Sequence, residues 1–385
     1  MKKRLFCIIM VIILLAPSIS NGVDLHKDAR AVLLGEFTSG EIFYEHSIDT
    51  QIEVASLTKI MTYLVAMDQV SAGKINLDDI IIISQKASKT PGSSFKLKEG
   101  EKLSLRVLLE SIMIVSANDS CVAISEHISG SEEEFVALMN NKAKDIGLEK
   151  THYLNSSGYP LKGGIQNMMS TRDLFELTRY VIDKYPQVLE ITKVNKIFLD
   201  SRGYAGENTN PLLSTIRDVD GFKTGFTDKA GQCLITTIQV KENENNKKPF
   251  RLIGIVMGAK DEEDRKNFSR ELIEYGLENY HYHQILNKNT AIKTLNIGNA
   301  KKGVIELFPQ EDLYILVKKG HSIQQEIMIN KKIMAPIKAG TVVGKVVVSV
   351  AKGQDHTIDL IVRENIQKKN VLDMLYDLIV NLLTR

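Results

Sequence analysis

An excess of one charge sign is missing from this 385-residue chain: 49 basic and 47 acidic side chains leave a formal net charge of +2. A nucleic-acid partner needs a basic surface, so none is expected. Cysteine is scarce as well, at three residues. Cys7 lies in an N-terminal apolar run, Cys121 in a helical pattern and Cys233 in a strand pattern. None stands in a metal-ligand spacing, and the eight histidines are scattered without a zinc signature. Cys121 and Cys233 therefore read as small, buried, apolar residues, with a disulfide between them as the alternative. A solenoid-length repeat is absent.

What is present begins with MKKRLFCIIMVIILLAPSISNG, where basic residues precede an apolar run from Leu5 to Ala16 and small residues follow. That order has the build of a secretory signal peptide over 1–22, with cleavage between about Ser20 and Val23. The alternative, an uncleaved anchor, is poorly served by so short a run.

Downstream, ARAVLLGEFTSGEIFYEHSI reads as two strands joined by a Ser-Gly turn. A helix starting at Ser56 follows, with Leu57, Ile60, Met61, Leu64 and Val65 on one buried face. Three more helical patterns fill 102–148, the last opening on Ser131 with acidic residues in its first turn and ending at Gly147. Another helix is expected over Thr171–Tyr185. Strands return in DGFKTGFT, AGQCLITTIQV and FRLIGIVMGAK, and a helix over about 261–280 closes the region. Strands, then a block of helices, then strands predict an α+β domain over 23–282, with one antiparallel sheet. Short strands separated by turn residues then predict a small all-β sandwich over 283–364.

The tail 365–385 ends in NVLDMLYDLIVNLLTR, whose polar residues Asn370, Asp373, Asp377, Asn381 and Thr384 fall on one narrow helical stripe. Such a helix is too short to cross a bilayer but suits its interface, and membrane attachment is the expectation. Docking on the β-module or on a second subunit is the alternative.

Chemistry enters with ASLTKIMT. Ser56 and Lys59 are three residues apart, so on a helix the amine reaches the hydroxyl and can serve as its base. Ser71 with Lys74, Ser93 with Lys96 and Ser349 with Lys352 share that spacing, but only Ser56 opens a strongly apolar helix, which would dry Lys59 and lower its pKa. An exposed, snorkelling lysine is the alternative. SANDS places Ser116 and Asn118 at a break between helices, where they either project into a cleft or cap the next helix. In DGFKTGFT, Lys223, Thr224 and Gly225 suit an edge strand whose glycine permits close backbone approach. Lys223 there either holds a substrate carboxylate or lies on a solvated strand, and the strand backbone could pair with an extended peptide.

In the order S-x-x-K, S-x-N, K-T-G, the three motifs resemble those of low-molecular-mass penicillin-binding proteins, the serine-type D-alanyl-D-alanine carboxypeptidase family. The likeness extends through NTNPLL, AGQCLI, APIKAGTVVGKV and the amphipathic tail. It implies a β-lactamase-like, transpeptidase-like catalytic domain that removes the terminal D-alanine from peptidoglycan stem peptides ending in D-Ala-D-Ala. It also implies covalent binding of β-lactam antibiotics. Ser56 would be the acylated nucleophile, Lys59 its general base and Ser116 the proton relay to the departing amine. Asn118 would orient Lys59 and the substrate amide, and Lys223 and Thr224 would grip the carboxylate. The oxyanion would sit between the backbone N–H groups of Ser56 and Phe226. Lys223, as a second positive charge, would help keep Lys59 neutral. No metal or organic cofactor is needed. The implied location is the outer face of the cytoplasmic membrane, the periplasm or the extracellular wall zone.

Two departures stand out. Phe226 follows K-T-G where many relatives have histidine, and Met168 and Met169 occupy IQNMMSTRD where relatives often carry histidine. Other readings are a β-lactamase, disfavoured because no E-x-x-L-N segment lies between Ser116 and Lys223, a D,D-endopeptidase, or a non-catalytic wall-binding scaffold.

Overall fold

The computed structural model of the chain describes Leu25 and residues 28–330, 333–350 and 355–383. The expected export signal lies outside the described residues. Two compact units emerge, one ending at Lys241 and resuming over Pro249–Glu278, the other taking Glu242–Lys248 and the chain from Asn279 on.

The first unit opens with β1 (Ala31–Glu36), β2 (Ile42–His46) and β3 (Gln51–Glu53). A 3-10 turn over Ala55–Thr58 leads into α1 (Lys59–Ser71). Then come β4 (Ile80–Ile82), α2 (Gln85–Ser88), β5 (Lys102–Ser104), α3 (Leu105–Ile114), α4 (Asn118–Ser129) and α5 (Glu132–Asp145). After these lie β6 (Met168–Ser170), α6 (Thr171–Lys184), α7 (Val188–Thr192), β7 (Lys196–Leu199) and β8 (Tyr204–Glu207). The unit closes with β9 (Val219–Thr227), β10 (Gly231–Val240), β11 (Phe250–Ala259) and α8 (Glu262–Asn279).

Helix starts follow their local chemistry. Ser104, Ser131 and Ser170 accept from the backbone N–H groups of Val107, Glu134 and Asp173, satisfying donors that a helix leaves open in its first turn. Gly147, with φ of 76°, follows the end of α5 as expected.

The main sheet is antiparallel in the order β2-β1-β11-β10-β9, so the K-T-G strand is an edge. Both faces of this sheet are covered. Leu33, Ile253 and Ile255 join the core that includes α1, α3, α4 and α6, whereas Leu34 and Leu252 approach Gly276 of α8. That explains why β1 is buried at every position instead of alternating. One expectation changes here. Every residue of α1 from Lys59 to Met67 is buried, so the helix is enclosed all round and has no single apolar face.

The second unit contains β12 (Tyr280–Leu286), β13 (Lys293–Asn296), β14 (Val304–Pro309) and β15 (Leu313–Lys318). It continues with β16 (Ile323–Ile329), β17 (Val342–Val350), β18 (His356–Ile361) and α9 (Val371–Leu383). A five-stranded sheet, β13-β14-β18-β17-β16, accompanies the pair β12-β15, and a purely apolar cluster including Ile305, Leu307, Ile315, Val346 and Leu360 fills the unit. The unit begins at Asn279, ahead of the expected His283, because β12 follows α8 directly. Asn370 and Asp373 cap α9 reciprocally at 2.8 and 2.9 Å. Among the described residues no helix is long and apolar enough to cross a membrane.

Candidate active site

Ser56 lies on the 3-10 turn and Lys59 is the first residue of α1, a sharper arrangement than one continuous helix. In a 3-10 turn, residues i and i+3 eclipse, which sets the amine directly over the hydroxyl. The Lys59 Nζ to Ser56 Oγ distance is 2.8 Å. Ser56 is partly exposed while Lys59 is fully buried, so the hydroxyl is reachable and the amine beside it is dry. Of the three look-alike pairs, Ser71, Lys74, Ser93 and Lys96 are all exposed.

Lys59 has two further acceptors, Asn118 Oδ1 at 2.8 Å and the Ser157 carbonyl at 2.7 Å. A neutral amine has two N–H bonds and one lone pair. Two acceptors that cannot donate consume both N–H bonds, and the lone pair is left for the Ser56 hydroxyl. Burial lowers the Lys59 pKa to about 8, although the Asp119 carboxylate acts in the opposite sense. The amine is therefore substantially neutral near pH 8.

The capping alternative for SANDS does not hold. Ala117 is the N-cap of α4 and has no side-chain cap bond. Asn118 spends its amide on Lys59 and on the Pro91 carbonyl at 2.8 Å. Asp119 accepts from Ser94 Oγ and from the backbone of Phe95 and Leu97, fixing the loop beside the cleft. Ser116 is buried, sits at φ 61°, and its Oγ has no hydrogen-bond partner. A non-glycine residue in that region stores strain, and such strain gathers at functional sites.

On β9, Lys223 is 1% exposed, and its Nζ reaches the Thr224 carbonyl at 3.1 Å. Burial first, and then the charge on Lys59, push its pKa well below the usual lysine range. The expected effect between the two amines thus falls on Lys223. Thr224 Oγ1 donates to Thr209 Oγ1 at 2.5 Å. Gly225 fits its expected use: a Cβ there would meet the Val54 carbonyl oxygen at 3.1 Å and the side chains of Ala55 and Leu57 at 3.3 Å. The strand can therefore lie against the turn that carries Ser56. Phe226 is 54% exposed.

Sequence reasoning missed the segment that supplies Ser157. Asn155 Oδ1 accepts from the backbone N–H groups of Ser157 and Gly158 at 3.2 and 2.6 Å and so aims the Ser157 carbonyl. Gly158 is at φ 80°, and a Cβ on it would stand 1.8 Å from the Ala55 carbonyl oxygen. The signal was the SSGYP stretch, in which glycine is the one residue able to make that approach. Cys121 and Cys233 are free and buried, which removes the disulfide alternative, and burial pushes the Cys121 thiol up to about 12. No group of three or more His, Cys, Asp or Glu side chains among the described residues could hold a metal ion.

An edge strand closing on a buried lysine that is bonded to a partly exposed serine defines a serine hydrolase of the penicillin-binding, β-lactamase-like fold. Comparison with known proteins narrows the class. The model of the D-alanyl-D-alanine carboxypeptidase family, Peptidase_S11, matches residues 19–261, and that of the penicillin-binding protein 5 C-terminal domain matches 280–368. The chain belongs to the D-alanyl-D-alanine carboxypeptidase family. It is 32% identical to the D-alanyl-D-alanine carboxypeptidase DacF of Bacillus subtilis over 90% of each chain. The crystal structure of the carboxypeptidase DacD from Francisella tularensis superposes with a TM-score of 0.65 at 29% identity, covering 89% of this chain and 94% of that one. The ampicillin-bound penicillin-binding protein D2 of Listeria monocytogenes gives a TM-score of 0.57 at 31% identity, over 65% of this chain and 97% of its own.

Proposed function

We propose that the protein is a serine-type D-Ala-D-Ala carboxypeptidase (EC 3.4.16.4) that shortens peptidoglycan stem pentapeptides by one D-alanine and so limits cross-linking. The observation that carries this is the buried Lys59 amine, 2.8 Å from the Ser56 hydroxyl, with both other neighbours fixed as acceptors. Neutral Lys59 takes the hydroxyl proton as Ser56 Oγ bonds to the carbonyl carbon of the penultimate D-alanine. The backbone N–H groups of Ser56 and Phe226 hold the oxyanion. As the C–N bond breaks, the proton held by Lys59 passes through the unpaired Ser116 hydroxyl to the leaving D-alanine amine. Water then cleaves the Ser56 ester, with Lys59 again as base.

Lys223 and Thr224 hold the terminal carboxylate. A buried amine with a depressed pKa regains its proton when an anion docks beside it, so substrate binding and Lys223 protonation reinforce one another. Asn118 orients Lys59, and Gly225 and Phe226 lend backbone to the extended peptide. β-Lactams acylate the same serine.

The catalytic part runs from 23 to Glu278, short of the expected 282, the β-sandwich follows from Asn279 to 364 and the membrane-associating segment spans 365–385, in an exported protein at the outer face of the cytoplasmic membrane. Support for the last element is α9, where Val371, Leu372, Tyr376 and Leu383 are exposed apolar residues on a capped helix.

Incubating the protein with a peptide ending in D-Ala-D-Ala should release one D-alanine, and penicillin should add its mass to the Ser56 peptide. Neither occurs in a scaffold, and rapid nitrocefin turnover without D-alanine release would mark a β-lactamase. Truncation after Lys368 should free the protein from anionic vesicles with acylation intact, whereas unchanged partition would remove the anchor.

A further inference from the structure

A cavity of about 510 Å3 opens on the catalytic unit away from the Ser56–Lys59 pair, between α1, α3, α7 and β7. Its volume is that of a small-molecule site. Tyr63, Leu109, Ile114 and Ile197 supply apolar walls, and four charged side chains reach it. Three of those charges are already paired: Arg106 with Asp78 at 3.1 Å, Lys196 with Glu207 at 2.9 Å and Glu190 with Lys193 at 2.6 Å. The fourth, Glu110, is partly buried and has neither an ion pair nor a hydrogen bond among the described residues. Burial raises its pKa, and the Arg106 guanidinium, one helical turn earlier and itself paired with Asp78, offsets this only in part.

We propose that this cavity binds a small organic cation, whose apolar body lies against Tyr63, Leu109 and Ile197 and whose ammonium group pairs with Glu110. A cavity with apolar walls, in which Glu110 is the one charged group without a direct ion pair, selects for that combination. A neutral molecule leaves Glu110 desolvated and unpaired, and an anion adds repulsion.

The walls also run into the catalytic elements. Tyr63 is one helical turn beyond Lys59 on α1, and Ile114 ends α3 two residues before Ser116. Thr192 closes α7 and donates to the Asp220 carbonyl, at the start of the strand that carries Lys223. A ligand that orders these walls alters the acylation rate of Ser56. This coupling rests on the proposed role of Ser56, whereas the binding site does not.

Calorimetry on the full chain with n-octylammonium, n-octyl sulfate and 1-octanol tests the site. Octylammonium should bind at one per chain and at least about tenfold more tightly than the other two, the ratio expected of a charge-assisted hydrogen bond. Glu110→Gln, isosteric and on a helix surface, should erase that preference. Val194→Trp, at an exposed position of the lining, should abolish binding of all three. Equal affinities for the three probes, or a preference that survives Glu110→Gln, would overturn the proposal. Saturating octylammonium should change the rate of penicillin acylation in the wild type and leave Glu110→Gln unaffected. An unchanged wild-type rate would overturn the coupling, while the calorimetry decides the site independently.

Discussion

Both compact units have apolar cores, but they differ in the charge they bury. The catalytic unit encloses Glu36, Lys59, Asp119 and Lys223 at 1% exposure or less, whereas the buried set of the β-unit, which includes Leu286, Ile305, Val346 and Ile366, carries no charge among the described residues. Buried charge is unfavourable unless it is bonded, and even then it rarely beats an apolar replacement. The β-unit follows the rule for stability, with strands such as β15 alternating buried and half-buried residues along their length. The catalytic unit departs from it at Lys59, whose burial lowers its pKa to about 8. Its backbone departs too, with Ala55 and Ser116 at positive φ on either side of that lysine in sequence. Function here is concentrated where the local rules of stable folding are broken.

The sharpest way to break this comparison is to remove Lys59, the proposed base. Lys59→Met should slow penicillin acylation of Ser56 by about 10^3-fold, within the range of general-base catalysis. In the wild type the rate should climb with pH and level off above an apparent pKa near 8, because only the neutral amine accepts the proton. Stability should carry the same signature. The folded pKa, about 8, lies below the ordinary lysine value of 10.5, so between them the unfolded chain binds more protons and stability rises with pH. The penalty is fully present below about pH 8 and disappears above about 10.5; that displacement corresponds to about 3 kcal/mol. Denaturant midpoints between pH 7 and 9.5, taken as the difference between wild type and Lys59→Met, measure it. A difference independent of pH would mean that Lys59 is not held dry.

Much of this organisation was legible in the chain. Capping serines, the order of strands and helices, and the three spaced motifs are local signals, and the structure brings the Ser56, Asn118 and Lys223 segments into one cleft. Other parts were not. The 3-10 turn before α1 is set by how β9 closes on Ala55 and Leu57, a contact between segments far apart in the chain. Ser157 O became a partner of Lys59 through a backbone carbonyl, which every residue possesses and no motif marks. In the β-unit, β16 is an edge strand, IQQEIMI, with polar residues at three successive positions and no regular alternation.

A second test asks whether the strained backbone of the catalytic unit serves the site or is incidental. Gly158 and Gly130 have nearly the same φ, 80° and 78°, yet a Cβ at Gly130 meets nothing within 4 Å. Gly130→Ala should therefore cost only the left-handed penalty, about 1–2 kcal/mol, with acylation intact. Gly158→Ala must also displace the 155–158 loop from Ala55, taking the Ser157 carbonyl off Lys59. Acylation should fall by about 10–100-fold, as a misplacement of about 1 Å does, and the apparent pKa of the rate should move. Equal acylation rates in the two variants would separate the strained loop from the chemistry.

The smallest effect on chemistry is expected from the apolar unit. Leu360 is fully buried in the β-unit core, and Leu360→Ala should destabilise that unit by about 2–5 kcal/mol through the lost methyl groups and the cavity they leave. Since, among the described residues, the buried charges and the non-glycine residues at positive φ all belong to the other unit, the rate of Ser56 acylation at 25 °C should stay within about twofold of wild type, a difference below 1 kcal/mol. Melting followed by circular dichroism should show the transition of the altered unit moving down, while retention of fluorescent penicillin tracks the catalytic unit through the same temperatures. If acylation were lost along with the first transition, the chemistry would depend on the apolar unit after all, and the division between a unit built for stability and a unit built for reaction would fail.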